Sequence, residues 1–324
     1  MLKKLISLIV VLAVLAMPAL VIASGEWTQP DSVITRICLG GFHEAVSGEP
    51  SSDFLGLNAD VNSDYLVQNC WWFDDDAESL FTGTFVEGTR YSLGANIYAK
   101  SGYRFASNVI ILLNGQSYRV SKQDTEIYDD YIMLYTVPMA CADENAVYPL
   151  REIWIDDLEL PKWGEEPDYS MDVPYGADYA LGTPLWCFYT SDNGAMFMMP
   201  SETFSRTDGT YFAKIYVSTL SNNEPLGSYQ VVVYLDNSFC ANAYYDEDYH
   251  SVFIHRLHVT PYGEWGDVDQ NGTVDTLDAL MTLRASMGII ELNEEQTVLA
   301  DADCNGYITT YDALMLFRTI LQCD

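Results

Sequence analysis

The sequence predicts a mostly β protein, with two tandem β-sandwiches followed by a small helical unit. Three observations support this fold class. Residues 24–260 consist of short runs of β-branched and aromatic residues separated by turn-forming pairs such as Asn114-Gly115. The same region repeats itself, with Tyr65 and Trp72 answered 114 residues later by Tyr179 and Trp186. The last sixty or so residues contain two near-copies of one loop–helix segment. We expect segment boundaries at residues 1–23, 24–145, 146–260 and 261–324.

Residues 1–23 have the features of a secretory signal peptide. Lys3 and Lys4 form a positive start, and the segment from Leu5 to Ala23 contains no charge. An uncleaved membrane anchor is the alternative, because a run of this length nearly spans a bilayer. Pro18 and the small residue Ala23 favour cleavage. We therefore predict a secreted, extracellular protein with no membrane association after cleavage.

The composition is strongly acidic and excludes some classes of partner. Lys and Arg number 15 against 47 Asp and Glu, which gives a formal charge of −32. Nucleic acid and anionic membranes would be repelled by such a surface. The seven cysteines are an odd number, so at least one thiol is left without an intramolecular partner. A disulfide between Cys304 and Cys323 is one open possibility, and their pairing is not fixed by sequence.

The two β repeats each contain about 110 residues, a length that suits an immunoglobulin-like sandwich. Trp72 and Trp186 occupy matching places and are predicted to lie in the two cores. The first copy contains Phe85-x-x-Gly88-x-x-Tyr91 and Gly102-Tyr103-Arg104-Phe105, and it resembles small β-sandwich repeats of secreted proteins from anaerobic Firmicutes. The second copy lacks the Gly-Tyr-x-Phe segment and is more diverged. This resemblance implies a fold and a habitat rather than an activity.

The two loops near the end of the chain have the layout of twelve-residue calcium loops. Oxygen-bearing residues recur at fixed places, and Gly272 and Gly306 supply the sharp turn at position 6. The predicted ligands are Asp267, Asp269, Asn271, the carbonyl of Thr273, Asp275 and Asp278 in the first loop, and Asp301, Asp303, Asn305, the carbonyl of Tyr307, Thr309 and Asp312 in the second. Asp replaces the usual Glu at position 12, and no helix leads into the first loop. The alternative is a pair of Asp-rich turns capping two ordinary helices.

This doubled loop–helix resembles the type I dockerin module, a small calcium-dependent domain that binds cohesin domains of cellulosomal scaffoldins. The resemblance implies two calcium ions, an EF-hand-like fold and a cohesin partner. It also implies that cohesin contacts come from Thr276, Leu277, Arg284, Thr310, Tyr311 and Arg318. The pairs Thr276–Leu277 and Thr310–Tyr311 differ, which weakens the equivalence of two docking orientations. Cys304 at position 4 and Thr309 at position 9 depart from the pattern, so we expect weaker calcium binding in the second loop.

The resemblance also implies a possible glycan-degrading enzyme in residues 24–260, because most proteins with such a module carry one. The segment from Glu152 to Glu159 is rich in carboxylates, but Trp154 stands where a paired carboxylate on the same strand face is needed. We expect its acids to be solvated on a strand. His255 and His258 would point to opposite faces of a strand, which argues against a shared metal.

We therefore predict a secreted, non-catalytic protein that docks through its last segment onto a cohesin, with the sandwiches as spacer, adhesion or interaction modules. One alternative is a carbohydrate-binding protein acting in polysaccharide degradation, with plant cell-wall polysaccharide as a partner. Its candidate aromatic platform would come from Trp71, Phe73, Trp154, Trp163, Tyr244 and Tyr245. A second alternative is a divergent glycoside hydrolase acting on plant polysaccharide.

Overall fold

A computed structural model of the chain describes residues 32–142, 148–189, 194–205, 210–219, 223–225, 230–240, 242–257, 259, 261–303 and 306–322. Contacts divide these residues into two compact units. The first unit holds the described residues up to Leu150, with Pro174–Asp178 and residues 223–224. The second holds Arg151–Val173, Tyr179–Thr219 and the described residues from Pro225 onwards. The predicted signal peptide lies outside the described residues.

The first unit contains two sheets that share one hydrophobic core and a two-stranded sheet formed by Tyr148–Leu150 and Asn223–Pro225. Its strands are β1 Ser32–Gly40, β2 Asn58–Ala59, β3 Tyr65–Asp74, β4 Ser79–Phe81, β5 Arg90–Ala99, β6 Tyr103–Leu113, β7 Glu126–Ile127, β8 Tyr131–Tyr135, β9 Met139–Ala140 and β10 Tyr148–Leu150, with short 3₁₀ helices at Ser51–Phe54 and Ser117–Arg119. One sheet has the order β2-β1-β6, and β1 runs parallel to β6. The other has the order β4-β3-β5-β8-β7, and β9 also pairs with β5. Side chains from both sheets, including Ile37 and Ile97, are fully buried in one cluster.

The second unit repeats the strand order of the larger sheet, whereas its three-stranded sheet adds the third strand on the opposite side. Its strands are β11 Glu152–Ile155, β12 Tyr179–Leu181, β13 Leu185–Tyr189, β14 Ala195–Phe197, β15 Tyr211–Thr219, β17 Val232–Leu235, β18 Ser238–Phe239, β19 Ala243–Asp246 and β20 Ser251–Leu257, while β16 Asn223–Pro225 pairs with β10 and lies mostly in the first unit. One sheet has the order β11-β17-β18, and β11 runs parallel to β17 as β1 does to β6. The larger sheet has the order β14-β13-β15-β20-β19, and β12 also pairs with β15.

The two units share a pair of matching tyrosine hydrogen bonds. Tyr65 Oη accepts a hydrogen bond from the Cys38 N–H at 2.8 Å and donates to the Cys38 carbonyl at 3.0 Å. Tyr179 Oη does the same with Trp154, at 2.7 and 3.1 Å. In both units, therefore, a tyrosine hydroxyl bridges the peptide groups of the first strand.

The predicted core tryptophans are confirmed. Trp72 and Trp186 are each only 1% exposed. Trp72 meets Phe85 edge-on with ring centroids 5.0 Å apart, and Trp186 meets Phe204 edge-on at 5.4 Å. Each indole thus anchors its core against a phenylalanine from a matching loop.

The expectation that the acids from Glu152 to Glu159 are all solvated is wrong for two of them. Glu152 and Asp156 are each 8% exposed, whereas Asp157 and Glu159 are exposed. The indole N–H of Trp154 donates to Glu152 Oε2 at 3.2 Å, so this carboxylate is held by its neighbour two positions along β11. The reason is that β11 is covered on both faces, as its four buried residues show.

The second unit also contains helices α1 Thr276–Ser286, α2 Glu294–Ala300 and α3 Thr310–Gln322. They pack around a small core in which Val268, Leu299 and Leu316 are almost completely buried. None of the helices in the described ranges has the length and hydrophobicity needed to span a bilayer. The described cysteines are thiols that form no disulfide with one another, and both Cys304 and Cys323 lie outside the described residues.

Candidate metal centre and docking face

The first predicted calcium loop brings three carboxylates together. Oxygen atoms of Asp267, Asp269 and Asp278 all lie within 4.8 Å of one another. Asp278 is fully buried, and Asp267 is 5% exposed. Asp278 belongs to the first turn of α1, whereas the other two precede that helix. The loop therefore folds back so that its first and last acidic residues face the same point.

Backbone N–H groups hold this arrangement. Asp278 Oδ1 accepts from the Asp269 N–H at 3.0 Å, and its Oδ2 accepts from the Asp275 N–H at 2.8 Å. Asp267 Oδ2 accepts from the Gly272 N–H at 2.9 Å. Gly272 has a φ of 90°, which is the positive φ predicted for position 6 and is costly for any residue with a Cβ.

The second loop repeats these bonds with every residue advanced by 34 positions. Oxygen atoms of Asp301, Asp303 and Asp312 lie within 4.8 Å of one another. Asp312 Oδ1 accepts from the Asp303 N–H at 3.1 Å, and Asp301 Oδ2 accepts from the Gly306 N–H at 2.8 Å. Thr309 donates to Asp312 Oδ2 through its N–H at 2.7 Å and through its hydroxyl at 2.8 Å.

The donor set fits a hard divalent cation. Each group offers only carboxylate oxygens, the ligand type that calcium prefers. In the first loop the hydrogen bonds to Asp267 and Asp278 come from backbone N–H groups, which carry no full positive charge. Buried carboxylates at such short separations repel one another strongly unless a cation joins them. The residues present therefore suit calcium.

The other predicted ligands have different surroundings. Asp275 lies outside the three-carboxylate group and caps α1, because its Oδ1 accepts from the Leu277 N–H at 2.7 Å. The Asn271 N–H donates to Asp267 Oδ1 at 3.0 Å, and the side-chain oxygen of Asn271 accepts from the Thr273 N–H at 2.9 Å. The Tyr307 ring is 75% exposed. Asn305 lies outside the described residues.

The predicted cohesin contacts form two matching exposed sets, one on α1 and one on α3. Leu277 and Tyr311 are each 48% exposed. The other members, Thr276, Arg284, Thr310 and Arg318, are exposed as well. The sequence interpretation missed Leu280, Leu314 and Phe317, which are also large, apolar and exposed. Leu280 follows Leu277 by three positions, and Leu314 and Phe317 follow Tyr311 and Leu314 in the same way. This spacing places side chains on one helix face and was the signal in the sequence.

Helix α2 was also absent from the sequence prediction. It has only seven residues, too few for a clear helical period. Its signal was a capping box, in which the Asn293 side chain accepts from the Gln296 N–H at 2.8 Å and the Gln296 side chain accepts from the Asn293 N–H at 3.2 Å. Leu299 and Ala300 of this helix complete the core beneath the two loops.

Several of the aromatic residues proposed as a sugar-binding platform belong to cores instead, so those proposals were wrong. Phe73 and Tyr245 are each 1% exposed, and Trp154 is 2% exposed. Trp154 stacks on Tyr234 with centroids 3.9 Å apart, because the parallel pairing of β11 and β17 places them side by side. The remaining candidates are the half-buried Trp71 and Tyr244 and the exposed Trp163.

The histidines do not share one site among the described residues. His250 Nδ1 lies 3.3 Å from Tyr245 Oη, and His255 lies between Tyr189 and Tyr244. His258 is outside the described residues.

Comparison with known families agrees with the geometry of the two loops. A family model described as the Dockerin type I domain matches residues 265–321. The matched range starts just before Asp267 and includes both carboxylate groups, helices α1 and α2, and all but the last residue of α3. Comparisons with curated proteins and with solved structures find no match. Residues 265–321 of this chain are therefore a type I dockerin domain.

Proposed function

We propose that this protein is a secreted, non-catalytic component of a cellulosome-type assembly, which docks through its dockerin domain onto a cohesin of a scaffoldin. The observation that carries the proposal is the duplicated loop–helix, whose hydrogen bonds repeat at an interval of 34 residues. The dockerin match supports the same partner. Extracellular location follows from the signal peptide predicted at residues 1–23.

Calcium is the proposed cofactor, with one ion in each loop. The ligands are proposed to be Asp267, Asp269, Asn271, Thr273, Asp275 and Asp278 in one loop and Asp301, Asp303, Asn305, Tyr307, Thr309 and Asp312 in the other. Bound calcium supplies positive charge that holds the acidic side chains together. The chain itself contributes buried Asp278 and Asp312, each of which ties the start of its loop to the start of its helix. These two residues therefore couple the loops to the exposed faces of α1 and α3.

The two β repeats are proposed to be immunoglobulin-like sandwiches that serve as spacer, adhesion or interaction modules, with boundaries near residues 24–145 and 146–260. The matching strand order of their larger sheets and the buried Trp72 and Trp186 support this assignment. The surroundings of Glu152, the strongest candidate for a catalytic carboxylate, support the non-catalytic role. Glu152 is buried and bonded to Trp154, so it is poorly placed to meet a glycan.

The first experiment is a titration of the purified full chain against a panel of type I cohesins, in calcium and then in excess chelator. We expect tight binding to at least one cohesin and loss of that binding on chelation. Asp278→Asn and Asp312→Asn should each weaken binding, because each removes a ligand and a contact between loop and helix. Glu291→Gln is the matched control, since Glu291 is an exposed acid between the two repeats.

Two outcomes would contradict the proposal. Binding that is unchanged by chelator would remove calcium from the docking mechanism. Absence of binding to every cohesin, while calcium is shown to bind by calorimetry, would reduce the loops to a structural role.

A further inference from the structure

The larger sheet of the second unit carries a cluster of rings on the side opposite its core. We call Tyr189, Phe212, Tyr244, Phe253 and His255 the aromatic face. They come from strands β13, β15, β19 and β20, which lie side by side in the sheet. The register pairs Ala213 with Ile254, both fully buried in the core, so the neighbouring Phe212 and His255 project to the other side. Four strands span about 14 Å across a sheet.

The rings of the aromatic face are nearly parallel and in contact. Tyr189 and Phe212 have centroids 4.7 Å apart and planes inclined by 30°. Phe212 and His255 lie at 5.5 Å and 18°, and His255 and Tyr244 at 5.2 Å and 0°. Phe253 completes the set at 5.6 Å from Tyr244. This stacking fixes the rings in place before any ligand arrives, which lowers the entropy lost on binding.

A chain of polar groups crosses the same face. Tyr189 Oη lies 3.2 Å from His255 Nδ1, and His255 Nε2 lies 3.3 Å from Tyr244 Oη. Hydroxyl and imidazole groups both donate and accept hydrogen bonds, so they suit a partner that is rich in hydroxyls. Tyr189 remains 37% exposed, and the adjacent Tyr249 is 60% exposed.

The charge of the aromatic face differs from that of the chain. None of its five residues is acidic, although the chain has 47 Asp and Glu. The neighbouring Lys214 has its Nζ 4.5 Å from the centroid of the Tyr249 ring and 5.4 Å from that of Phe253. An anionic polymer would be opposed by the net charge of −32, and a cationic partner would meet no carboxylate among these rings. The face is thus complementary to an uncharged partner with apolar C–H surfaces and hydroxyl groups.

The first unit does not repeat this surface. Strand β5 of the first unit has Ser92 at the position that corresponds to Phe212 of β15. It has Gly94 at the position that corresponds to Lys214. Ser92 is fully buried and Asn96 is 2% exposed, so this side of the first sheet is covered. This set of rings, in which Tyr189 is exposed, Tyr244, Phe253 and His255 are half-buried and Phe212 is buried, is therefore particular to the second unit.

We propose that the aromatic face of the second unit binds a neutral polysaccharide chain, with the rings contacting sugar C–H groups and the Tyr189–His255–Tyr244 chain contacting hydroxyls. This binding function is separate from docking and does not depend on calcium at the dockerin loops.

Affinity electrophoresis of the full chain tests the proposal. Native gels would contain hydroxyethylcellulose, xyloglucan, arabinoxylan or galactomannan, with carboxymethylcellulose as an anionic comparison. We expect at least one neutral polymer to retard the chain, and Tyr189→Ala and Tyr244→Ala to weaken the affinity by about tenfold or more. Tyr128→Ala is the matched control, because Tyr128 is 45% exposed and stacked on Tyr131 in the first unit.

Folding is checked by circular dichroism, and His255→Phe provides a variant that keeps a ring but loses both nitrogen atoms. It should bind more weakly than the native chain while its thermal unfolding is unchanged. Retardation by no neutral polymer, retardation by carboxymethylcellulose alone, or equal retardation of the native chain and both alanine variants would overturn the proposal. Sedimentation velocity adds a further test, since a dimer abolished by Tyr244→Ala would mean that a second copy covers the face.

Discussion

At the scale of single residues, the most unusual group in the first unit is a buried arginine. Arg119 is 2% exposed and pairs with Asp178 at 2.9 Å. Its guanidinium also lies over the Phe42 ring, 5.6 Å from the centroid. Glu44 is a weaker partner, since its carboxylate oxygen is 3.9 Å away. Burial raises the pKa of Glu44 to about 7, and the attraction to Arg119 only partly opposes this rise.

The shifted pKa of Glu44 predicts that this residue makes the first unit less stable as pH increases. Between about pH 4.5 and 7 the unfolded chain loses this proton while the folded chain keeps it, so the free energy of unfolding falls as pH rises. By pH 7 the free energy of unfolding has fallen by on the order of 3 kcal/mol, and it falls little further at higher pH. Glu44→Gln should therefore be stabilising at pH 8 relative to the native chain, and much less so at pH 5.

Urea unfolding of both proteins at the two pH values measures this difference. Glu49→Gln, at an exposed acid of the same unit, is the control. A Glu44→Gln variant that is destabilised equally at pH 5 and pH 8 would contradict the prediction.

At the scale of elements, the sequence predicts local features well and cross-strand features poorly. The calcium-type loops are recognisable because their acidic residues and the turn glycine lie within one short segment, as Asp267, Gly272 and Asp278 do. Trp72 and Trp186 can be predicted as core residues because they occupy matching positions in the two sequence repeats. The aromatic face is not, because Phe212 and His255 become neighbours only through the register of β15 and β20. Burial of Glu152 is hidden for the same reason, since it depends on the strands around β11.

We predict that helices α1 and α3 contribute unequally to the free energy of cohesin binding. Leu277 and Tyr311 are equivalent and equally exposed, but tyrosine has a larger surface and a hydroxyl and is a more frequent binding hot spot. Tyr311→Ala should weaken cohesin binding by more than about tenfold, and Leu277→Ala should have the smaller effect. Calorimetric titration of each variant against the same cohesin gives the comparison. Equal losses would indicate that both orientations are used equally.

At the scale of the whole molecule, charge is the dominant property. The chain has 47 acidic and 15 basic side chains, so repulsion between distant carboxylates disfavours the compact state. Salt screens interactions beyond about 10 Å at 0.1 M ionic strength.

Stability should therefore rise with salt. Raising NaCl from about 20 mM to about 300 mM should increase the melting temperature by a few degrees at constant calcium, because repulsion is screened more than close pairs are. Differential scanning calorimetry in NaCl and in KCl separates screening from specific sodium binding. A melting temperature that is constant or falls with both salts would show that long-range repulsion is unimportant.

The tyrosine bridge to the first strand has a further consequence for strand register in each unit. Tyr65 contacts both peptide groups of Cys38, so a strand that slips by one residue would leave that hydroxyl facing the wrong amide. The bridge thus enforces alignment. Tyr179 makes the same pair of bonds with Trp154, so it holds the register of β11 as Tyr65 holds that of β1.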